Sequence, residues 1–231
     1  MASVRGSVIS KVRCGCVAVS DVAYAQGGML REHRHERAYV SVLMDGAYTE
    51  LRDGLPRFCP PGTAIRHGAG EVHADFFVAP GRCINFDLDD ESVSLEHVLR
   101  AVRATYPQLE RTIAAALREG AEPAATAPAW LQTVLTGFRW IEPVPLAEAS
   151  DLAGMHPAHF ARAFRKHVGM TPGRYRRRER VRAVSRLLLE SAASLSDIAQ
   201  ECGFADQSHL TNVFRETAGL SPKRYRGAFA R

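Results

Sequence analysis

Up to about residue 88 the chain alternates short apolar or in-out runs with turn dipeptides. "CVAVSDV", "AYVSVLM", "ADFFVA" and "CINFDL" are punctuated by Asp45-Gly46, Asp53-Gly54, Pro61-Gly62 and Pro80-Gly81. Runs of this length at this spacing predict antiparallel strands closing a sandwich or barrel. After "DLDDESVS" the period lengthens: Val93, Leu95, Val98, Leu99 and Val102 recur at helical spacing, and Leu109, Ile113, Ala116 and Leu117 do so again beyond Pro107. Residues 120–128, "GAEPAATAP", carry no apolar period and read as a linker. From Trp130 onward the pattern is helical throughout. The fold class expected is α+β in two domains: an N-terminal antiparallel β-barrel over residues 1–90, a helical connector and linker over 91–129, and an all-α domain over 130–231.

Charge sharpens this division. Residues 1–130 carry 14 basic and 16 acidic side chains, whereas 131–231 carry 16 and 9, so the helical part is net +7. A basic helical domain suits a polyanion such as nucleic acid. With 46% hydrophobic and 24% charged residues the balance is that of a globular protein. The start lacks the apolar core of a signal peptide, and no run is long enough to span a membrane, so a soluble cytoplasmic protein is expected. The five cysteines form no paired framework, in keeping with a reducing compartment.

The basic part contains a duplication. "LAEASDLAGMHPAHFARAFRKHVGMTPGRYR" from Leu146 aligns with "LSDIAQECGFADQSHLTNVFRETAGLSPKRYR" from Leu195, at an offset of 49 through Gly154/Gly203 and of 50 from His159/His209 onward. In each copy a small residue, Ser150 or Ala199, precedes a glycine by four positions. That spacing lets two helices cross closely and lets the turn take a positive φ, as a helix-turn-helix requires. The second helices should bury Phe160, Ala163 and Phe164, and Leu210, Val213 and Phe214. Their outward positions are then Ala158, Ala161, Arg162 and Arg165 in the first unit, and Gln207, Ser208, Thr211, Asn212 and Arg215 in the second. Arg matches the paired acceptors of guanine, and Gln or Asn the donor and acceptor of adenine. With two alanines, the first helix should read bases less directly than the second. Between the copies, "TPGRYRRRERVRAVSRLLLES" predicts an amphipathic spacer of roughly 30 Å, about one turn of duplex DNA, with Arg178, Arg182 and Arg186 along one side and Val181, Val184 and Leu188 along another.

On "DIAQECGFADQSHLTNVFRETAGLSPKRYR" and "HFARAFRKHVGMTPGRYRR", residues 130–231 resemble the AraC/XylS family of bacterial transcription regulators. Ala149 departs from the larger apolar residue usual there, which the second copy keeps as Ile198. The resemblance implies binding of double-stranded DNA, with Arg174, Arg178, Arg182, Lys223 and Arg224 on phosphates, a sensor domain at the N-terminus, a homodimer built on the helices of residues 92–119, and contact with RNA polymerase.

The strand-rich part resembles a cupin at two places. "GGMLREHRH" places five residues between Gly27 and His33-x-His35, and "GTAIRHGAGEVH" places His73 three positions after Gly70, with Gly68 where a proline is usual. Metal-binding cupins add a glutamate, but Tyr39 occupies that position here, and Glu36 has the wrong strand parity to replace it. His33, His35, Tyr39 and His73 are therefore the expected lining of a ligand pocket. His33, His35 and His73 could also hold zinc or another divalent metal with an open fourth position. No cofactor is needed for DNA binding itself. His67 reads as a solvated turn residue. Cys14 and Cys16, with Cys59 and Cys83 as partners, would form a thiol sensor or, more simply, small core residues.

These features describe a DNA-binding regulator of transcription that responds to a small-molecule effector and is not an enzyme. Two alternatives stay open at this level: a metal-dependent cupin enzyme with a DNA-binding tail, and a DNA-binding dimer indifferent to ligand.

Overall fold

The computed structural model describes residues 6–89, 93–119 and 128–230. The chain divides into two compact units, with the break between residues 122 and 123. That break and nearly all of the expected linker lie outside the described residues.

Among the described residues, the first unit holds seven strands: β1 (Ser7–Cys14), β2 (Val17–Tyr24), β3 (Met29–Arg34), β4 (Tyr39–Arg52), β5 (Leu55–Cys59), β6 (Ala64–His67) and β7 (Val72–Leu88). All pairings are antiparallel, and the main path runs β1-β2-β7-β4-β5. The long strands β4 and β7 pair along their whole lengths and change company halfway. Residues 81–88 of β7 pair with β2 and residues 39–42 of β4 with β6, whereas residues 72–76 of β7 pair with β3 and 48–52 of β4 with β5. One folded sheet thus supplies two layers. It does not close into the expected barrel among the described residues, because β1 and β5 end the path unpaired to one another.

The fold line lies at irregularities flanking Gly46, which takes φ +83° and packs its Cα against the Pro80 carbonyl. A Cβ there would sit 1.8 Å from the Pro80 oxygen, so only glycine lets the two long strands bend together.

Period-two alternation sorts the side chains of the first layer. Val40, Val42, Ile84, Phe86, Val17 and Val19 share one core with Val98, Ala101, Val102, Leu109 and Ile113 of the helices α1 (Leu95–Thr105) and α2 (Glu110–Glu119) and the short turn between them. These helices thus pack into the sheet unit's own core. Leu43, Tyr48, Cys59, Ile65, Phe77 and Cys83 form the second core, between the two layers. The first layer is therefore covered on both faces, which explains why β2 is apolar almost throughout.

The second unit contains α3 (Ala129–Gly137), α4 (Ala147–Leu152), α5 (Pro157–Val168), α6 (Pro172–Glu190), α7 (Leu195–Glu201), α8 (Gln207–Ala218) and α9 (Pro222–Phe229). Thr171 and Ser221 cap α6 and α9 identically, each hydroxyl accepting an N–H three residues on with proline at the first helical position. Among the described residues no helix is long and apolar enough to cross a membrane.

Candidate functional site

The interior of the sheet unit carries a cluster of imidazoles. Antiparallel register sets His33 of β3 opposite His73 of β7, and Tyr39 of β4 opposite His67 of β6. The His33 and His73 rings lie 4.3 Å apart, His35 and Tyr39 4.3 Å, His67 and His73 4.4 Å, and Tyr39 stacks on His67 at 4.4 Å. The Tyr39 hydroxyl is hydrogen-bonded to His73 Nε2 at 3.0 Å. The four residues expected to line a pocket do converge, and His33, His35 and Tyr39 border a cavity of about 80 Å³ together with His67 and Asp75, while His73 packs against their rings outside its lining. That volume is far below the roughly 300 Å³ at which pockets for drug-sized ligands begin, and holds a few waters or an ion. His35 and Asp87 also border a wider outer groove of about 720 Å³ rimmed by Lys11, Arg34 and Arg37.

Three acidic residues and one histidine complete the cluster. Far from being solvated, His67 is 2% exposed. The tight turn at Gly70, φ +75°, folds the chain back so that Glu71 meets His67, with Oε1 2.9 Å from Nδ1. Glu71 also accepts from Arg52 at 2.9 Å and from the Gly68 N–H at 3.3 Å. Glu50, 1% exposed, has Oε1 3.6 Å from His67 Nδ1, and neither of its oxygens has a hydrogen-bond partner. Asp75, opposite Glu50 across β4 and β7, lies 3.7 Å from His73 Nε2.

Burial sets the protonation states. It pushes His67 down to about 4 and, helped by the neighbouring imidazoles, His73 down to about 3, so both rings are neutral at pH 7 and present lone pairs. Burial raises Glu50, and raises Asp75 well above the carboxylate range with Glu50 adding to it. Glu71 is pushed up by burial as well, but the hydrogen bond and charge of Arg52 outweigh this and hold it low.

Among the described residues, two sets of donor atoms lie within 4.8 Å of one another: His33, His35 and His73, and His67, Glu71 and His73. Glu71 thus supplies a carboxylate from the second histidine motif, where Tyr39 had removed one from the first. The legible signal was parity, since Glu71 stands two residues before His73 on the same side of the chain. The cysteines do not converge. Cys14 and Cys16 pack in the helix-side core, Cys59 and Cys83 between the layers, and burial pushes the latter two up to about 12, leaving them protonated.

In the helical unit, Ser150 and Ala199 are fully buried where the paired helices cross, and Gly154 and Gly203 take φ +64° and +71°. A Cβ on Gly203 would also meet the Ile141 oxygen at 2.2 Å. Phe160 and Phe164 of α5 and Leu210 and Phe214 of α8 face inward, while Ala163 and Val213 are only half-buried. Ala158, Arg162 and Arg165 are exposed on α5, as are Gln207, Ser208, Asn212 and Arg215 on α8, with Ala161 and Thr211 half-buried beside them.

The arginines of α6 divide. Arg178 and Arg182 both reach Glu179, at 3.3 and 2.9 Å, and Arg178 lies over the Tyr175 ring. The expected basic row is thus partly neutralised. Arg180 donates to the Ile141 and Glu142 carbonyls, and Arg226 to those of Leu188 and Ala193, so these two fasten the units internally. Arg174, Lys223 and Arg224 are exposed in the first turns of α6 and α9.

Comparison with known proteins places this arrangement. A helix-turn-helix domain family matches residues 149–228. An HTH-type transcriptional regulator of Mycobacterium tuberculosis is 40% identical over 85 residues, covering 37% of this chain and 33% of that protein. The HTH-type transcriptional activator RhaS of an Enterobacter species is 32% identical over 98 residues, covering 42% and 34%. The match thus spans about a third of the length of these curated relatives. Among solved structures, the DNA-binding domain of AdpA in complex with a target DNA is similar to the chain at 29% identity and a TM-score of 0.41, covering 44% of this chain and 93% of that one. A cupin superfamily protein of Desulfitobacterium hafniense is similar at 14% identity and a TM-score of 0.35, covering 39% and 83%. With its two matched helix pairs, buried small residues and positive-φ glycines, the helical unit of this chain carries the helix-turn-helix domain whose family matches residues 149–228, and over that stretch it is similar to HTH-type transcriptional regulators.

Proposed function

We propose that this protein is a cytoplasmic regulator of transcription that binds double-stranded DNA sequence-specifically and answers to a small ligand held in the sheet unit. The observation that carries the reading is the duplicated helix pair, each copy exposing a helix face with polar side chains above a buried apolar stripe. In this reading Gln207, Ser208, Thr211, Asn212 and Arg215 read base edges, Arg162 and Arg165 do so from the first unit with Ala158 and Ala161 in methyl contact, and Arg174, Lys223 and Arg224 hold phosphates. Arg178 and Arg182 serve as phosphate contacts once released from Glu179. His33, His35 and Tyr39 line the ligand cavity with His73 packed against their rings, and the protein regulates instead of catalysing. A homodimer is supported by the exposed apolar side chains of Val8, Ile9 and Val12 on the edge strand β1. RNA polymerase is the further partner of such a regulator.

Selection of random duplex DNA on the purified full chain tests the reading. Enrichment of one motif, lost when Asn212 and Arg215 are replaced by alanine, is expected. Absence of any enriched motif, at low salt and with or without added ligands, would sink it.

A further inference from the structure

We propose that the sheet unit binds a divalent transition-metal cation through His67, His73 and Glu71, with Glu50 supplying a second negative charge beside it. This deepens the reading of the cavity as the signal site by naming what it takes, and its chemistry holds whether or not the chain binds DNA.

Two atoms in the cluster lack what their surroundings should give them. Glu50 has a carboxylate buried to 1% exposure with neither oxygen hydrogen-bonded, and His73, 2% exposed, has Nδ1 without a partner. Native interiors rarely leave such groups unsatisfied, and an unmodified carboxylate in a dry site calls for a cation. Protonating Glu50 would remove its charge and still leave a hydroxyl without an acceptor. Both orphans border His67: Glu50 Oε1 is 3.6 Å from its Nδ1, and the His73 ring is 4.4 Å from its ring.

Two donor sets compete for the ion, and they share His73. The first, with His33 and His35, is made of imidazoles alone and brings no negative charge to offset that of a dication. The second has two imidazoles and the Glu71 carboxylate, with the Glu50 carboxylate alongside, so even with Arg52 bonded to Glu71 it offsets part of the dication's charge, as the first set does not. Its donors, within 4.8 Å of one another, need to close to the roughly 3.3 Å separation of ligands around tetrahedral zinc. Arg52, bonded to Glu71 at 2.9 Å, orients that carboxylate as outer partners of metal ligands do. The cavity of about 80 Å³ that His67 borders is too small for a drug-sized organic effector.

The test uses the full chain, dialysed against chelator and titrated with zinc chloride by calorimetry and with cobalt(II) by visible absorption. One equivalent per chain is expected, with the weak tetrahedral cobalt bands and no near-ultraviolet thiolate band, since no cysteine takes part. Glu71→Gln and His67→Gln should each weaken binding about 10- to 100-fold, and His33→Gln should leave it within about threefold. Glu71 and His33 are both partly exposed, so their variants keep the comparison intact should His67→Gln fail to fold. No binding of either cation, a thiolate band, or loss in His33→Gln as large as in Glu71→Gln would overturn the assignment. A chain that selects DNA but binds no cation refutes this inference alone, whereas one that binds the cation and no DNA refutes the regulator reading alone.

Discussion

Besides the Arg226 bond to the Leu188 carbonyl, a fully buried hydrogen bond ties the second helix-turn-helix to the spacer helix, and its removal has a calculable signature. Ser185 Oγ on α6 lies 2.7 Å from the Tyr225 hydroxyl on α9, with both residues fully buried. Ser185→Ala leaves the tyrosine hydroxyl in an apolar site with no partner, which should cost about 1–3 kcal/mol. Tyr225→Phe is milder, about 0.5–1.5 kcal/mol, because the Ser185 hydroxyl can turn back to the Val181 carbonyl of its own helix. The double substitution leaves no orphan and should cost little more than the milder single one, giving a coupling of roughly 1–2 kcal/mol. For a unit of about 100 residues, each kcal/mol lowers the melting midpoint by roughly 4–8 °C. Both tryptophans, Trp130 and Trp140, lie in the helical unit, so intrinsic fluorescence during urea unfolding follows this unit without the sheet. Additivity of the two single effects to within about 0.5 kcal/mol would refute the reasoning, since it would show that the hydroxyls do not depend on each other.

Three further outcomes are expected. On a selected operator, Asn212→Ala should cost about 1–3 kcal/mol of affinity and relax preference at one base pair, whereas Lys223→Ala should weaken all sequences alike and reduce the logarithmic salt slope by about one; binding isotherms at several salt concentrations separate the two. Gly46→Ala combines a positive φ, costing about 1–2 kcal/mol, with overlap of the Pro80 carbonyl, so hydrogen exchange should rise along residues 39–52 and 72–88 while the helical unit is unchanged. In chelator-treated protein, His67 has a folded value of about 4 against 6.5 unfolded, so the unfolded chain takes up the proton first as pH falls. Stability of the sheet unit should be flat above pH 6.5 and decline below it, by roughly 3 kcal/mol at pH 4 for this residue. A midpoint independent of pH between 7 and 5 would contradict that.

The helical unit was the more legible of the two in the sequence. Its buried stripes, turn glycines and outward polar positions follow from local periodicity and from a repeat that can be checked copy against copy, and Phe160, Phe164, Leu210 and Phe214 lie as that pattern requires. The roles of the spacer's arginines were not legible. Arg178, Arg180 and Arg182 look equivalent in a basic run, yet Arg180 holds two carbonyls some 38 residues earlier in the chain and the other two share Glu179. In the sheet unit, motif spacing pointed to His33, His35 and His73 because those residues sit at fixed distances from turns. It missed His67, Glu50 and Asp75, whose places depend on which strands pair.

By itself the sequence determined the alternation of two structural periods, the duplicated helix pair, the charge imbalance and the strand faces on which His33, His35, Tyr39 and His73 lie. Each of these is a local property, carried by residues within a turn or a strand of one another. Only the tertiary structure decided that α1 and α2 complete the sheet's core, that the sheet folds at Gly46 without closing, and that Glu50, Glu71 and His67 gather around His73. Those outcomes depend on register between strands far apart in the chain: a shift of one residue would turn every one of these side chains to the opposite face, and no local pattern specifies it.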